Sequence, residues 1–261
     1  MYYTRIMDLL HALLLGIVEG ISEFLPISST GHLILTSSLL GLTPSNFLKS
    51  FEIIIQFGAI LSVVALYWRS FLNIEILKRL ILAFIPTGVI GLALYSFIKT
   101  YLLENQAVVL WALLIGGALL IIFELLHKEP VYAEPESTKI TYKQSFLVGL
   151  FQSIAIIPGT SRSAATIVGG LLLGLNRQTI VEFSFLLAVP TMLAATGLDL
   201  VKNASSFSMD QFGVLAVGFV TSFIVALFSI KFLLGFVRKH TFIPFGIYRI
   251  ALALVFWAII L

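Results

Sequence analysis

Cysteine and charged side chains are what this sequence lacks most. It contains no cysteine among its 261 residues, which excludes disulfide bonds and thiolate metal sites. Charged residues make up only 11% of the chain and hydrophobic residues 59%, which excludes a soluble domain of ordinary composition. Together with a mean hydropathy of +1.06, this balance indicates a polytopic helical membrane protein.

The basic residues also lack the arrangement that nucleic-acid binding requires. The net charge of +3 comes from lysines and arginines in predicted loops, without a basic face that carries interleaved aromatic residues. We therefore expect membrane lipid around the protein and no nucleic-acid partner. The first apolar stretch contains Glu19 and Glu23 and lacks a small-residue cleavage site, so we expect it to stay in the mature protein.

That first apolar stretch contains a cluster of polar residues, EGISEFLPISSTGH, at residues 19–32. Polar side chains at membrane depth are energetically expensive and therefore indicate function. Glu19 and Glu23 are four residues apart, so a helix would place both carboxylates on one face. Two like charges that face the same small volume predict a cation site.

The residues that follow predict an anion site next to it. Pro26 removes a backbone donor and restricts the preceding residue, so we expect the first helix to end there. Ser28, Ser29 and Thr30 then stand where the next helix would begin. Hydroxyl groups, unpaired backbone amides and the positive end of the helix dipole would converge at this junction.

The apolar segments predict an all-α polytopic membrane protein built from short hairpins and longer spans. Residues 30–41 would form roughly 18 Å of helix, well short of a hydrocarbon core of about 30 Å. Residues 8–41 are therefore predicted to form a re-entrant helical hairpin. Six longer segments are predicted to be transmembrane helices: 50–68, 79–98, 106–127, 178–198, 211–234 and 242–261.

The pattern of the first half returns after a polar linker. The stretch GIVEGISEFLPISSTGHLILTSSLLGL (16–42) aligns with GLFQSIAIIPGTSRSAATIVGGLLLGL (149–175), which pairs Gly16 with Gly149, Glu19 with Gln152, Pro26 with Pro158, Ser29 with Ser161, His32 with Ala164 and Gly41 with Gly174. We predict a repeat at 1–127, a linker at 128–143 and a second repeat at 144–261, whose hairpin is 144–175. Because each half crosses the membrane three times, this is an inverted-topology repeat.

The loop charges predict the orientation. Fewer basic residues lie on the side of the N-terminus (Arg5, Lys49, Lys99, Lys202) than on the opposite side (Arg69, Lys78, Arg79, Lys128, Lys139, Lys143, Arg177, Arg238, Lys239). The opposite side should therefore be cytoplasmic. The first hairpin would then enter from the extracytoplasmic face, and the second would rise to meet it.

The second hairpin carries an arginine at its predicted apex, PGTSRS, residues 158–163. A guanidinium at Arg162, beside Thr160, Ser161 and Ser163 at a helix start, suits phosphate oxygens. The alternative is a salt bridge from Arg162 to one of the two glutamates, with no ligand. Carboxylates, hydroxyls, imidazole and guanidinium inside a membrane together suggest chemistry on a phosphorylated lipid.

These residues also match a known family. With both apex motifs, FSFLLAVP (183–190) and IPFGIYR (243–249), the chain closely resembles the undecaprenyl-diphosphate phosphatases of the bacterial envelope, once described as bacitracin-resistance proteins. The resemblance implies a hydrolase of the bacterial cytoplasmic membrane. It would convert undecaprenyl diphosphate to undecaprenyl phosphate and inorganic phosphate, which recycles the carrier lipid of cell-wall synthesis.

Within that resemblance, each polar residue has a hypothetical role. Glu19 and Glu23 would hold a divalent cation, Mg²⁺ or Ca²⁺, both of which prefer oxygen ligands. Ser29 would be the nucleophile, and Ser28 and Thr30 would donate hydrogen bonds to the phosphate oxygens.

The remaining roles concern proton transfer and charge. His32 would act as base or leaving-group acid, or would itself be the nucleophile. Arg162, with Ser161 and Ser163, would neutralise the transferring phosphoryl group. A transporter or flippase for the lipid phosphate or a small anion is the main alternative, since carriers are also built from inverted repeats. Whether the protein forms a homodimer stays open.

Overall fold

The computed structural model describes residues 7–94, 97, 101–102, 105–127, 140–203 and 211–260, and within these every helix or strand element is helical. The α-helices are α1 (Leu9–Ser22), α2 (Ser29–Leu39), α3 (Asn46–Tyr67), α4 (Ile74–Ala93), α5 (Gln106–Leu126), α6 (Tyr142–Gln152), α7 (Arg162–Leu172), α8 (Arg177–Asn203), α9 (Phe212–Val237) and α10 (Ile243–Ile260). Single 3₁₀ turns follow α3 and α6, at Ser70–Leu72 and Ser153–Ile156.

Four helices in the described part of the chain, α3, α4, α5 and α9, are long and apolar enough to cross a membrane. The chain is therefore a multi-pass, all-α membrane protein. Large apolar side chains on these helices face outward, among them Leu92, Leu119 and Phe228, as expected of surfaces that contact lipid. The segments predicted at 178–198 and 242–261 also form helices, α8 and α10, but are not among these four.

Two predicted boundaries are wrong for the same reason. Helix α4 was expected to begin at residue 79, yet it begins at Ile74, because the Asn73 side chain caps it by accepting from two backbone amides. The charged residues of its first turns predict a loop, but the salt bridge between Glu75 and Lys78, at 3.1 Å, stabilises them as helix. Likewise α6 begins at Tyr142, inside the predicted linker, because a capping box at the preceding threonine starts the helix.

Four residues on which the predicted orientation depends, Arg5, Lys99, Lys128 and Lys139, lie outside the described residues. Most of the predicted linker, residues 128–139, falls there as well. Lys202 lies in α8, but its side chain is not described.

The packing of the helices follows a regular scheme. Helix α1 packs on α9 and α6 packs on α4, while α3 contacts α9 and α8, and α4 contacts α8. Helices α5 and α10 form a further pair. Hairpin helices α1 and α6 are thereby held by helices from the other half of the chain.

The contact between α4 and α6 is close enough to require glycine. A Cβ added at Gly149 would lie 1.9 Å from the carbonyl oxygen of Ala83, which is backbone and cannot move aside. The Thr87 hydroxyl donates to the carbonyl of Gly149 at 3.0 Å across the same contact. The second hairpin is thus anchored, through α6, to the middle of α4.

We predict that Gly149→Ala lowers the unfolding temperature in detergent, because overpacking of this kind costs about 1–3 kcal/mol. Gly235→Ala is the matched control, since a Cβ there meets nothing within 4 Å. Size-exclusion thermal-stability assays on both variants measure the difference. Equal stability of the two variants would contradict the close packing.

Candidate active site

The first hairpin turns through a strained serine. Helix α1 ends at Ser22, four residues before Pro26 where its end was expected, and α2 begins at Ser29. Ser28 caps α2 with φ 73° and ψ 93°, and its Oγ accepts from the backbone amide of Gly31 at 3.4 Å. A non-glycine residue in this region of φ is held there by its surroundings, which is common at functional sites.

The second hairpin repeats this conformation. Ser161 caps α7 with φ 76° and ψ 110°, and its Oγ accepts from the amide of Ala164 at 3.2 Å. The two caps lie 133 positions apart, so the structural partner of Ser161 is Ser28 and not the predicted Ser29. The prediction was one residue out of register because the second apex has an extra residue between its proline and its cap. Ser29 therefore occupies the same helical position as Arg162.

A buried carboxylate joins the two apices. The Arg162 guanidinium donates from NH2 to Glu23 Oε1 at 2.8 Å, and the Ser29 hydroxyl donates to Glu23 Oε2 at 2.5 Å. Arg162 NH1 also donates to the carbonyl of Ser184 on α8 at 2.8 Å. The salt bridge considered for Arg162 is thus formed with Glu23, and the predicted nucleophile shares the same carboxylate.

A second contact links the hairpins beside this one. The Ser163 hydroxyl donates to the carbonyl of Phe24 at 2.8 Å, and both groups are buried. The predicted donor Ser163 is therefore engaged in holding the first turn. For Thr160, the structure shows a backbone turn, with its amide donating to the carbonyl of Ile157 at 3.2 Å.

Arg249 of α10 holds both turns by their backbones. Its NH2 donates to the carbonyls of Gly159 at 3.0 Å and Ala112 at 2.9 Å, and its NH1 approaches the carbonyl of Pro26 at 3.5 Å. Its side chain is almost fully buried, at 1% exposure. Sequence reasoning used IPFGIYR only for the resemblance, although an arginine inside an apolar segment is the same signal that had singled out Arg162.

His32 lies in a different environment from the one expected. Its Nδ1 is 2.7 Å from the carbonyl oxygen of Ser28, and its Nε2 is 2.8 Å from the hydroxyl of Tyr248. A carbonyl can only accept, so Nδ1 carries the proton and Nε2 accepts from Tyr248. The hydroxyl of Ser29 is bonded to Glu23 instead of this imidazole.

Glu19 is the other carboxylate of the predicted cation site. Its side chain has 0% exposure, and neither carboxylate oxygen has a hydrogen-bond partner among the described residues. It lies one helical turn before Glu23, whose own oxygens are engaged by Ser29 and Arg162. No cluster of three His, Asp or Glu side chains occurs among the described residues, so an ion here would need oxygen ligands from elsewhere.

A cavity of about 210 Å³ lies between the two apices. Its walls are Glu23, Ser28, Ser29, Thr30, Gln56, Thr87, Gln152, Ala155, Ile156, Ile157, Pro158, Gly159, Ser161, Arg162, Thr191 and Met192. Both hairpins contribute, so most of the predicted phosphate-binding residues meet at one place. Sequence reasoning missed Thr87 and Thr191, which lie in apolar helices far along the chain.

The other predicted residues lie around this cavity and do not line it. Glu19, His32, Thr160 and Ser163 are absent from its walls. Two polar side chains of α3 differ in the same way: Gln56 lines the cavity, whereas Glu52 accepts from the Ser37 hydroxyl at 2.9 Å.

Comparison with known proteins identifies the family. The family model described as bacitracin resistance protein BacA matches residues 12–255. The chain belongs to this family. Proteins named undecaprenyl-diphosphatase from Sulfurihydrogenibium sp., Wolinella succinogenes and Aquifex aeolicus are similar to it, with 55%, 51% and 51% identity over 251 residues each. The matches cover 96% of this chain and 97–99% of those three proteins.

We predict that Arg249→Met lowers both the unfolding temperature and the activity, because it leaves two backbone carbonyls at the apices, of Pro26 and Gly159, and that of Ala112 on α5 without their donor. The loss of hydrogen bonds to a charged group costs about 1.5–3 kcal/mol each. Arg249→Lys should restore part of the stability, since one ammonium can reach only some of the carbonyls. Thermal unfolding in detergent measures both variants.

Arg238→Met is the matched control, because this arginine is exposed just beyond α9. If Arg249→Met were as stable as Arg238→Met, the three backbone contacts would not hold the apices.

Proposed function

We propose that this protein hydrolyses undecaprenyl diphosphate to undecaprenyl phosphate and inorganic phosphate. The observation that carries the proposal is the hydroxyl of Ser29, which donates to a carboxylate that is also paired with Arg162, on the wall of a cavity in a membrane protein. The name undecaprenyl-diphosphatase, shared by relatives at 51–55% identity, supports the hydrolase over a transporter. The reaction returns the carrier lipid to cell-wall synthesis and accounts for the family's link to bacitracin resistance.

In the first chemical step, Glu23 acts as the base. The oxygen of Ser29 attacks the terminal phosphorus while its proton passes to Glu23 Oε2, which already accepts that hydrogen bond at 2.5 Å. The bond from phosphorus to the bridging oxygen breaks, and undecaprenyl phosphate leaves. The terminal phosphoryl group stays on Ser29 as a phosphoserine.

Arg162 is placed to neutralise the phosphoryl oxygens. Two of its nitrogens are engaged by Glu23 and Ser184, but its Nε is buried and has no hydrogen-bond partner in the described part of the chain. This N–H is therefore free to donate to a phosphate oxygen in the cavity. The N-termini of α2 and α7, capped by Ser28 and Ser161, add two helix dipoles that favour an anion.

We assign His32 a positioning role. Its Nδ1–H donates to the carbonyl of Ser28, the residue with the strained backbone, and Tyr248 fixes the ring through Nε2. The imidazole thus holds the cap from which Ser29 projects. The alternatives, base for Ser29 or nucleophile, would require Nε2, which carries the lone pair, to give up its hydrogen bond from Tyr248.

Glu19, together with Glu23, would hold a divalent cation, Mg²⁺ or Ca²⁺. The support is the pair of buried carboxylate oxygens on Glu19, for which the described residues supply no hydrogen-bond donor. When bound, the ion would add positive charge beside the phosphate oxygens and lower the barrier to attack.

The inverted repeat also belongs to the proposal, with halves 1–127 and 144–261 and re-entrant hairpins at 8–41 and 144–175. The support is local: Ser28 and Ser161 share one conformation, as do Gly41 and Gly174 at φ 67° and 79°. The packing scheme supports it as well, if α1 corresponds to α6, α3 to α8 and α4 to α9. The contact between α1 and α9 then corresponds to the contact between α6 and α4, and the contact between α3 and α9 to that between α8 and α4.

The proposed location is the bacterial cytoplasmic membrane, with the first hairpin reached from the extracytoplasmic side. The support is the excess of basic residues in the loops opposite the N-terminus.

The test is phosphate release from undecaprenyl diphosphate by the purified protein in detergent, with and without a chelator. We expect release by the wild type, loss with chelator and recovery with Mg²⁺ or Ca²⁺. Ser29→Ala and Glu23→Gln should each lower turnover by about a hundredfold or more, because nucleophile or base is removed.

Ser38→Ala is the control for the serine variant, since Ser38 lies on the same helix but is exposed and outside the cavity. Its turnover should match the wild type. No release by folded wild-type protein would overturn the phosphatase. Loss in His32→Asn with full activity in Ser29→Ala would overturn the assignment of the nucleophile.

A further inference from the structure

The wall of the cavity also contains a polar network, centred on Gln152, that the first step does not use. Gln152, at the end of α6, has 1% exposure and donates from Nε2 to Thr87 Oγ1 at 2.9 Å and to Thr191 Oγ1 at 3.2 Å. All three residues line the cavity together with Ser29 and Arg162. They come from three helices, α6, α4 and α8.

The two threonines fix the orientation of the amide. The Thr87 hydroxyl donates to the carbonyl of Gly149 at 3.0 Å, and the Thr191 hydroxyl donates to the carbonyl of Leu187 at 2.8 Å. Because each hydroxyl has only one proton, both oxygens must accept from Gln152. The amide nitrogen therefore faces the threonines, and a flipped amide would place two acceptors against each other.

This orientation leaves one atom without a partner. Gln152 Oε1 is buried and accepts no hydrogen bond from any of the residues that the structure describes. In the repeat alignment Gln152 corresponds to Glu19, whose oxygens are also bare, but a neutral amide attracts a cation far less than a carboxylate does.

Because Gln152 Oε1 can only accept, it favours a ligand that donates a hydrogen bond. Phosphate oxygens would be repelled by it, whereas a water molecule can donate one proton to Oε1 and keep its lone pairs free. The cavity volume of about 210 Å³ far exceeds the roughly 10–15 Å³ that one water requires, so a phosphoryl group and a water fit together.

We propose that Gln152 binds and orients the water that hydrolyses the phosphoserine, which rests on the proposed function of Ser29. After undecaprenyl phosphate has left, the water oxygen attacks phosphorus from the side opposite Ser29 Oγ. The new bond between water oxygen and phosphorus forms as the bond from phosphorus to Ser29 Oγ breaks. Glu23 returns its proton to Ser29 Oγ, and the water keeps both protons and leaves as dihydrogen phosphate.

The position of Gln152 suits this second step. Attack on phosphorus occurs in line with the leaving oxygen, and glutamine side chains orient the attacking water in other phosphoryl-transfer enzymes. Ser29 and Gln152 belong to different hairpins on the wall of one cavity, so the space between them is available to the phosphoryl group.

The test uses the full-length protein in detergent and undecaprenyl diphosphate with a radiolabelled terminal phosphate. Gln152→Met keeps the length of the side chain and removes the acceptor. We expect turnover to fall about tenfold or more and KM to fall with it, so that kcat/KM changes little, because formation of the phosphoserine is intact and its hydrolysis is slowed. Acid quench should then trap labelled phosphoserine at position 29, at a level well above that of the wild type.

Gln178→Met is the matched control, with the same substitution at an exposed glutamine of α8 outside the cavity, and should trap no more label than the wild type. If Gln152→Met does not fold, Gln152→Asn is the alternative variant, because its side chain is shorter by one methylene group and moves the amide oxygen away from the water. Unchanged turnover, or slower turnover without trapped phosphoserine, would overturn the role of Gln152 alone. Absence of phosphate release by the wild type would overturn the proposed function with it.

Discussion

The structure depends on one buried ion pair, between Glu23 of the first hairpin and Arg162 of the second. Neither charge can be left unpaired away from water without a penalty of several kcal/mol. Each hairpin therefore brings a charge that only the other can neutralise, although the two residues lie 139 positions apart. The apices are forced to meet, and the cavity between them follows from that meeting.

The turns on either side of this ion pair are held in unfavourable conformations. Ser28 and Ser161 both have positive φ, which costs on the order of 1–3 kcal/mol for a residue with a side chain. His32 holds the carbonyl of the first, and Arg249 holds the carbonyls that flank both. The strain directs the hydroxyl of Ser29 toward Glu23 and keeps the start of each helix open toward the cavity.

Much of the site was predictable because its signals are local. The carboxylates, hydroxyls and arginine stand out in apolar segments, and a cap residue after a proline marks each turn. Three features could not be predicted, because they depend on contacts between distant segments: the use of Arg249 as a clamp, the pairing of His32 with Tyr248, and the assignment of Glu23 in place of His32 as the partner of Ser29.

Most of the fold was also predictable from the sequence, and two details were not. The hairpins and most of the longer helices follow from hydropathy and length, since a bilayer fixes both. The start of α4 did not follow, because its charged first turn is stabilised by Asn73 and Glu75. The register of the repeat at the second apex could not be predicted either, since a sequence alignment does not show which serine has a positive φ.

The measurement that tests this account most directly is a double-mutant cycle on Glu23 and Arg162, with unfolding of Glu23→Gln, Arg162→Met and the double variant followed in detergent. The account predicts that each single variant loses about 3–5 kcal/mol, because it leaves a buried charge unpaired, and that the double variant loses less than the sum. Strictly additive losses would mean that the two hairpins are not joined by this ion pair.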